Sequence, residues 1–199
     1  DPLTILDQIK EIKENGFYNF YYSQRFGTFG RDNSHTLGLL MLQKKYDEAL
    51  KLFLTDPPKI GFEFTFEIYE KIKDHYGNWD YIEKLISPYP IIFERELAVV
   101  NHLIKNPNDT LGALGSKKDE IRWWMLAFAS WLFNMKLSNY LLNKEKMPEK
   151  IDLITSTKEN ISFEYKKELE SIGLEEFNFD HLSEFNIQKA ILPVDTIKK

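Results

Sequence analysis

The sequence predicts an α+β fold that is predominantly helical. From about residue 63 to residue 142, apolar residues recur at helical spacing between proline and glycine breaks. Two shorter stretches, near 17–26 and 185–192, have the partly alternating aromatic and aliphatic pattern of strands. The chain has 199 residues, of which 43% are hydrophobic, so it is long enough to bury a core and is not a disordered segment.

The first third of the chain predicts helices on both sides of the first strand-like stretch. An amphipathic helix ends before Gly16, and its apolar face consists of Leu3, Ile5, Leu6, Ile9 and Ile12. After the aromatic stretch, Ser34 or Thr36 is a candidate N-cap for a second helix. A third helix follows a short break at residues 43–45, and Pro57 and Pro58 end this pair.

The middle of the chain predicts only helices. Their expected ranges are 63–75, 79–86 and 91–104, followed by one after Thr110 and one that begins near Asp119. The last of these contains the apolar run 123–133, whose 11 residues are too few for the roughly 20 that cross a bilayer. We therefore predict a buried helix with no membrane span. Its expected core residues are Trp123, Trp124, Phe128, Trp131 and Leu132.

The pattern changes after Pro148. Residues 151–154 predict a short strand, residues 163–172 predict a helix that stops at Gly173, and residues 185–193 predict a strand returning to a sheet.

Composition excludes several classes of function. The chain has no cysteine, which rules out disulfides, zinc–thiolate sites and thiol nucleophiles and is consistent with a cytoplasmic protein. No secretory signal is expected, because the N-terminus is amphipathic and charged. The four histidines have no partner at i,i+4, and neither a P-loop nor a dinucleotide fingerprint occurs, so we predict no metal and no cofactor. The net charge of −5 argues against a general nucleic-acid coat but allows a local RNA-binding face.

Residues 19–27, Asn-Phe-Tyr-Tyr-Ser-Gln-Arg-Phe-Gly, are the most informative stretch of the chain. A packed core does not need so many aromatic, amide and guanidinium groups within nine residues. A pocket for a planar base does need them, because aromatic faces stack on the base, an amide reads its edge and an arginine pairs with a nearby phosphate.

This stretch resembles the Asn-Tyr-Phe/Tyr-Gly-x-Gln-Arg-Phe-Gly signature of the tRNA pseudouridine synthase D (Pus7-like) family. The literal matches at fixed spacing are Asn19, Gln24, Arg25, Phe26 and Gly27, and Tyr21 stands where the family has Phe or Tyr. Residues 127–134 are similar to the family's Ala-Tyr-Gln-Ser-x-x-Phe-Asn, and residues 188–193 resemble the approach to its Arg-Arg-x-Leu-x-x-x-Pro strand. The resemblance covers most of the chain.

The resemblance implies a helical insertion domain, residues 34–164, joined to part of a mixed-sheet pseudouridine synthase core formed by 1–33 and 165–199. It also implies the isomerisation of uridine to pseudouridine in RNA, most commonly tRNA, without metal or cofactor. An aspartate attacks the nucleoside, the glycosidic bond breaks, and the base rotates and rejoins through carbon.

The resemblance also suggests which residues bind RNA. Tyr21 would stack on the uracil, and Asn19 would hydrogen-bond to it or position its neighbours. Arg25 would contact phosphate or hold the pocket, with Gln24 beside them. The alternative for Tyr21 and Asn19 is a buried strand with a satisfied amide. Phe20 and Phe26 alternate away from Tyr21 and are expected in the core. Asn134 is a candidate RNA contact or a structural amide that joins helix to core.

The departures from the family pattern leave three hypotheses open. The family's catalytic aspartate lies upstream of the aromatic motif, in Lys-Asp-x-x-Ala-x-Thr-x-Gln, and nothing here matches that segment; Asp32 lies on the wrong side of the motif. The chain is therefore expected to be a portion of an RNA pseudouridine synthase that lacks its nucleophile. It is alternatively a catalytically inactive RNA-binding relative, or a helical protein-interaction module in which the motif is structural.

Overall fold

A computed structural model describes residues 2–15, 17–27, 31–116, 118–143, 150–151, 165–175, 180–185 and 195–196. Within these ranges the chain is almost entirely helical. The α-helices are α1 (Pro2–Asn15), α2 (Ser34–Leu42), α3 (Tyr46–Thr55), α4 (Glu63–Asp74), α5 (Trp79–Ile86), α6 (Glu94–Lys105), α7 (Thr110–Leu114), α8 (Lys118–Asn143) and α9 (Lys166–Ser171). Two 3₁₀ helices span Ser23–Arg25 and Asp180–Phe185.

The expected mixed-sheet core is wrong for the part of the chain that the structure describes. The strands there are β1 (Lys150–Ile151) and β2 (Asp195–Thr196), an antiparallel pair of two residues each in which Lys150 faces Thr196. Residues 17–26 do not form the predicted strand and contain only a single β-bridge residue, Tyr18. Their backbone is irregular and then turns into the 3₁₀ helix at Ser23, where the hydrogen bonds close within a few residues. Most of the predicted strand 185–193 lies outside the described residues.

The predicted helices of the middle region are confirmed to within a few residues, because their start and stop signals act locally. Asn78 caps α5 by accepting a hydrogen bond from the Tyr81 amide, and Asp109 caps α7 by accepting one from the Gly112 amide. Gly173 ends α9 with a positive φ of 74°, a conformation that side chains with a β-carbon rarely adopt.

Helices α2 to α8, which we call the helical body, share one hydrophobic core. Helix α8 runs through this core, and α2 packs along it at very close range around Gly38. A β-carbon on Gly38 would lie 2.4 Å from the Trp124 carbonyl oxygen and 2.8 Å from the Phe128 β-carbon. The C-terminal residues Tyr165, Leu169 and Leu182 are buried in the same core.

Of the expected core aromatics, Phe20 and Trp123 are exposed, and Phe26 and Trp131 are only half-buried. Phe20 is 41% exposed and Trp123 is 58% exposed, whereas Trp124, Phe128 and Leu132 are buried as predicted. Trp123 lies on the outer face of α8, since only part of an uninterrupted apolar helix can face the core. Phe20 is exposed because residues 17–22 lie at the edge of the helical body, where none of the described elements covers both of their faces.

Candidate functional site

Residues 19–27, which we call the motif segment, are held against the middle of α8 by one side-chain amide. Tyr21 donates its backbone N–H to Asn134 Oδ1 at 2.9 Å, and Asn134 Nδ2 donates to the Tyr21 carbonyl at 2.8 Å. The amide therefore satisfies both backbone groups of Tyr21, as a neighbouring strand would. This pair joins two segments 113 residues apart in the sequence.

Arg25 makes a second connection between the motif segment and α8. Its Nε donates to Ser130 Oγ at 3.0 Å, and Ser130 in turn donates to the Leu126 carbonyl at 2.7 Å. The Arg25 guanidinium carbon also lies 5.2 Å from the centre of the Tyr21 ring, within the range of a cation–π contact. The hydroxyl of Ser130 thus fixes the cation beside the aromatic ring.

Tyr21 packs edge-on against Phe133, with ring centres 5.6 Å apart and planes at 76°. Its ring is half-buried, so it is supported by the helical body and still partly open. The arrangement holds an aromatic ring and a cation in fixed relative positions. Such a pair can stack on a planar ligand and contact a neighbouring anion.

The structure brings three of the five predicted site residues together. Tyr21, Arg25 and Asn134 form one cluster, whereas no described side-chain hydrogen bond joins Asn19 or Gln24 to it. Asn19 is half-buried and Gln24 is exposed. Asn19, Tyr21 and Arg25 do not lie on one face of a strand, because the backbone turns into a 3₁₀ helix at Ser23.

Sequence reasoning missed the supporting role of Ser130 and Phe133. The signal was present in their spacing: Ser130, Phe133 and Asn134 lie at i, i+3 and i+4 on α8 and so share one helix face. What the spacing does not reveal is which segment that face contacts.

His35 lies beneath the motif segment and was not selected from the sequence. Its ring stacks on Trp131, with centres 5.5 Å apart and planes at 22°, and meets Phe26 edge-on at 5.4 Å. Its Nδ1 is buried without a hydrogen-bond partner among the described residues. Burial lowers the pKa of His35 below its ordinary value of 6.5, and the charge of Asp32 offsets this only in part.

A buried polar network joins Arg31 to Tyr69 on α4 and Glu96 on α6. Arg31 Nη2 pairs with Glu96 Oε1 at 2.9 Å and also donates to the Tyr69 hydroxyl, which donates to the same Glu96 oxygen at 2.7 Å. Burial alone would lower the pKa of Arg31, but attraction to Tyr69 and Glu96 outweighs it, so the pKa lies above its usual value. Burial and then the Glu96 charge raise the pKa of Tyr69, which keeps its proton and acts as a donor.

The described residues contain no group of three or more metal-ligating side chains of the His, Cys, Asp and Glu types. None of the described helices is both long enough and apolar enough to cross a membrane.

Comparison with known proteins extends the sequence resemblance. The family model described as tRNA pseudouridine synthase D (TruD) matches residues 3–190. The chain is 31% identical over 137 residues to a "Probable tRNA pseudouridine synthase D" of Methanosarcina acetivorans, a match covering 67% of this chain and 30% of that protein. It is 29% identical over 158 residues to "Multisubstrate pseudouridine synthase 7" of Schizosaccharomyces pombe, covering 78% of this chain and 22% of that protein.

The fold is also similar to the crystal structure of the "Putative tRNA pseudouridine synthase D (TruD)" from Methanosarcina mazei. The TM-score is 0.60 at 21% identity, and the match covers 83% of this chain and 40% of the other. Each match therefore covers less than half of the other protein, so the chain corresponds to only part of these relatives.

Proposed function

The chain belongs to the tRNA pseudouridine synthase D (TruD) family, and we propose that it forms part of an RNA pseudouridine synthase that isomerises uridine to pseudouridine in tRNA. In this proposal residues 1–33 and 165–199 belong to the catalytic unit, and residues 34–164 form a helical insertion. The nucleophilic aspartate does not lie within these 199 residues. The protein acts in the cytoplasm, in keeping with the absence of cysteine.

The contact between the motif segment and α8 carries this proposal. Two stretches that resemble family motifs, 19–27 and 127–134, meet through the paired hydrogen bonds of Tyr21 and Asn134 and through the bond between Arg25 and Ser130. If the motif segment were only structural, the Asn134 amide would be enough to hold it against α8. It would not require a half-open aromatic ring with a cation fixed beside it.

We assign each residue a role from the groups of its side chain that contacts within the protein leave available to RNA. Tyr21 stacks on the target uracil, which must leave its own stack at a cost of a few kcal/mol. Arg25 contacts the flanking phosphate, and Asn19 and Gln24 contact the base or its neighbours. Asn134 is a positioning residue, because its amide already bonds the backbone of Tyr21 on both sides.

Filter binding of a tRNA transcript at two salt concentrations tests the RNA-binding part. Stacking on one base is worth roughly 1–3 kcal/mol, so Tyr21→Ala in the complete gene product should weaken binding or turnover about tenfold or more. The melting temperature should fall little, because Tyr21 is half-buried. Tyr81→Ala, at an exposed tyrosine on α5, is the control. A large fall in melting temperature without a specific loss of RNA binding would place Tyr21 in the core and remove it from the site.

Pseudouridine formation tests the catalytic part. The 199-residue protein should make no pseudouridine in a tRNA transcript, whereas the complete gene product should. Turnover by the 199 residues alone would place the nucleophile among them. A complete gene product that binds tRNA but makes no pseudouridine would instead be a catalytically inactive relative.

A further inference from the structure

A cavity of about 300 Å³ lies in the helical body, apart from the motif segment. It opens between the loop that precedes α4 and the loop that precedes α6, and its volume is at the lower end of the range of roughly 300–1,000 Å³ for small-molecule sites. None of Tyr21, Arg25, Ser130, Phe133 and Asn134 lines it. The cavity is therefore a second candidate site.

The polar part of the cavity is the network of Arg31, Tyr69 and Glu96. Among the described residues, the Arg31 side chain donates hydrogen bonds only through Nη2, to Tyr69 and Glu96. The N–H groups at Nε and Nη1 can therefore donate to a ligand. Neither of those atoms is buried without a partner. The Arg31 guanidinium also lies 5.1 Å from the centre of the Tyr69 ring. Glu96 and Tyr69 thus hold Arg31 in one orientation, with unused donors fixed in place.

The walls and rim of the cavity are apolar. Phe62 is 68% exposed and Ile91 is 93% exposed, and Ile60 is also exposed beside them. One face of Phe62 stacks on Phe64, with ring centres 5.9 Å apart and planes at 20°. An aromatic ring supported on one face and exposed overall can receive a second planar ring.

The charges around the cavity balance. Arg31 pairs with Glu96 at 2.9 Å, and Arg95 pairs with Glu120 at 3.3 Å. An anion would therefore find no excess positive charge, and the site favours an uncharged ligand. An aliphatic side chain from a protein partner would cover the rim but would leave the Arg31 donors without acceptors once water is excluded. A nucleobase is planar and uncharged and carries carbonyl or ring-nitrogen acceptors on its edge.

We propose that this cavity binds an unpaired base of the RNA substrate, which stacks on Phe62 and accepts hydrogen bonds from Arg31. The proposal rests on the proposed function, since it takes RNA as the substrate. It adds a site for a base other than the reacting uridine.

Nucleosides test the cavity directly, because they carry a base without a phosphate. Uridine, guanosine, adenosine and cytidine are titrated into the labelled 199-residue protein, and backbone amide shifts are recorded by NMR. At least one nucleoside should shift the Phe62, Tyr69 and Ile91 amides, and Phe62→Ala/Ile91→Ala should abolish these shifts. Leu142→Ala, at a residue 79% exposed on α8, is the matched control. N-acetyl-leucine amide shifting the same residues where no nucleoside does would assign the cavity to protein and overturn the proposal.

Binding of a tRNA transcript by the complete gene product separates this proposal from the proposed function. Phe62→Ala/Ile91→Ala should weaken binding about five- to tenfold, as expected for the loss of one stacked base. Both side chains are exposed, so the fold should persist. Equal affinity of parent and double variant, with loss of binding in Tyr21→Ala, would overturn the cavity and leave the proposed function standing. Absence of tRNA binding by the parent would overturn both.

Discussion

The helical body and the N-terminal residues 2–27 have similar apolar patterns, but the apolar side chains are buried in the first region and largely exposed in the second. In the body, apolar faces meet each other, and residues such as Ile72, Ile82 and Phe128 are fully buried. In α1 the predicted apolar face is formed, yet Ile5 and Leu6 are both more than half exposed, and the aromatics of residues 17–22 lie largely open. An amphipathic pattern thus specifies which face of an element is apolar, but it does not specify what covers that face.

The two regions also differ in how they are fixed. The body is held by hydrophobic packing, whereas the motif segment is held by a few directed contacts to α8, made by Tyr21 and Arg25. Hydrogen bonds and one ring contact define a position without burying much surface. This is a favourable arrangement for side chains that must stay accessible to a ligand.

The largest expected effect is on the free energy of unfolding, and it is seen by substituting one phenylalanine in each region. Phe128→Ala should lower the free energy of unfolding by about 3–5 kcal/mol, because it leaves a cavity in a packed core. Phe20→Ala should change it by no more than about 0.5 kcal/mol, because the side chain is already partly exposed. Urea denaturation followed by circular dichroism measures both. Similar losses in the two variants would contradict the difference between the regions.

The next largest effect on stability tests how closely α2 packs against α8 within the helical body. Gly38→Ala places a β-carbon against the backbone of α8, which can shift only by moving the whole helix. The substitution should lower the free energy of unfolding by about 1–3 kcal/mol, although alanine has the better helix propensity. Gly61→Ala is the matched control, because Gly61 lies on an exposed loop, where a β-carbon would be 3.1 Å from its nearest neighbour, the Thr65 hydroxyl. If Gly38→Ala is as stable as the parent protein in the same denaturation experiment, α2 and α8 pack less closely at Gly38 than the structure shows.

A smaller effect concerns the attachment of the motif segment. Asn134→Ala removes both hydrogen bonds to Tyr21, each worth about 1 kcal/mol, and should raise the hydrogen-exchange rate of the Tyr21 amide about fivefold or more. Asn134→Asp keeps an acceptor for that N–H and should preserve most of its protection, although its carboxylate faces the Tyr21 carbonyl. Unchanged exchange in Asn134→Ala would mean that the ring contact with Phe133 is sufficient.

The smallest effect is a pH dependence at the boundary between the regions. The pKa of His35 is lowered in the folded protein, so the unfolded chain binds the proton more readily. The resulting stability is fully present above about pH 6.5 and is lost as the pH falls through that value towards the folded pKa. His35→Phe should reduce this slope in melting temperatures recorded between pH 7.5 and 5. An identical slope in the variant would assign the pH dependence to other groups.

The sequence alone determined the helices of the body and their ends. Asn78 and Asp109 act on backbone groups within a few residues, and the repeated apolar residues need only the geometry of their own helix. The residue types and spacing of the motif segment, which are unusual for a core, also predicted a base-binding pocket, and the ligand of that pocket stays a prediction. These features are local, so no knowledge of distant contacts was needed.

Tertiary structure decided the rest. The backbone of residues 17–26 appeared strand-like, but it turns at Ser23, and the backbone of Tyr21 is hydrogen-bonded by the Asn134 side chain. The exposure of Phe20 and Trp123, the stacking of His35 on Trp131, and the meeting of Arg31 with Glu96 all depend on which elements face each other. Those pairings join residues far apart in the chain, and the surface that each covers is set by packing, which spacing along one segment does not encode.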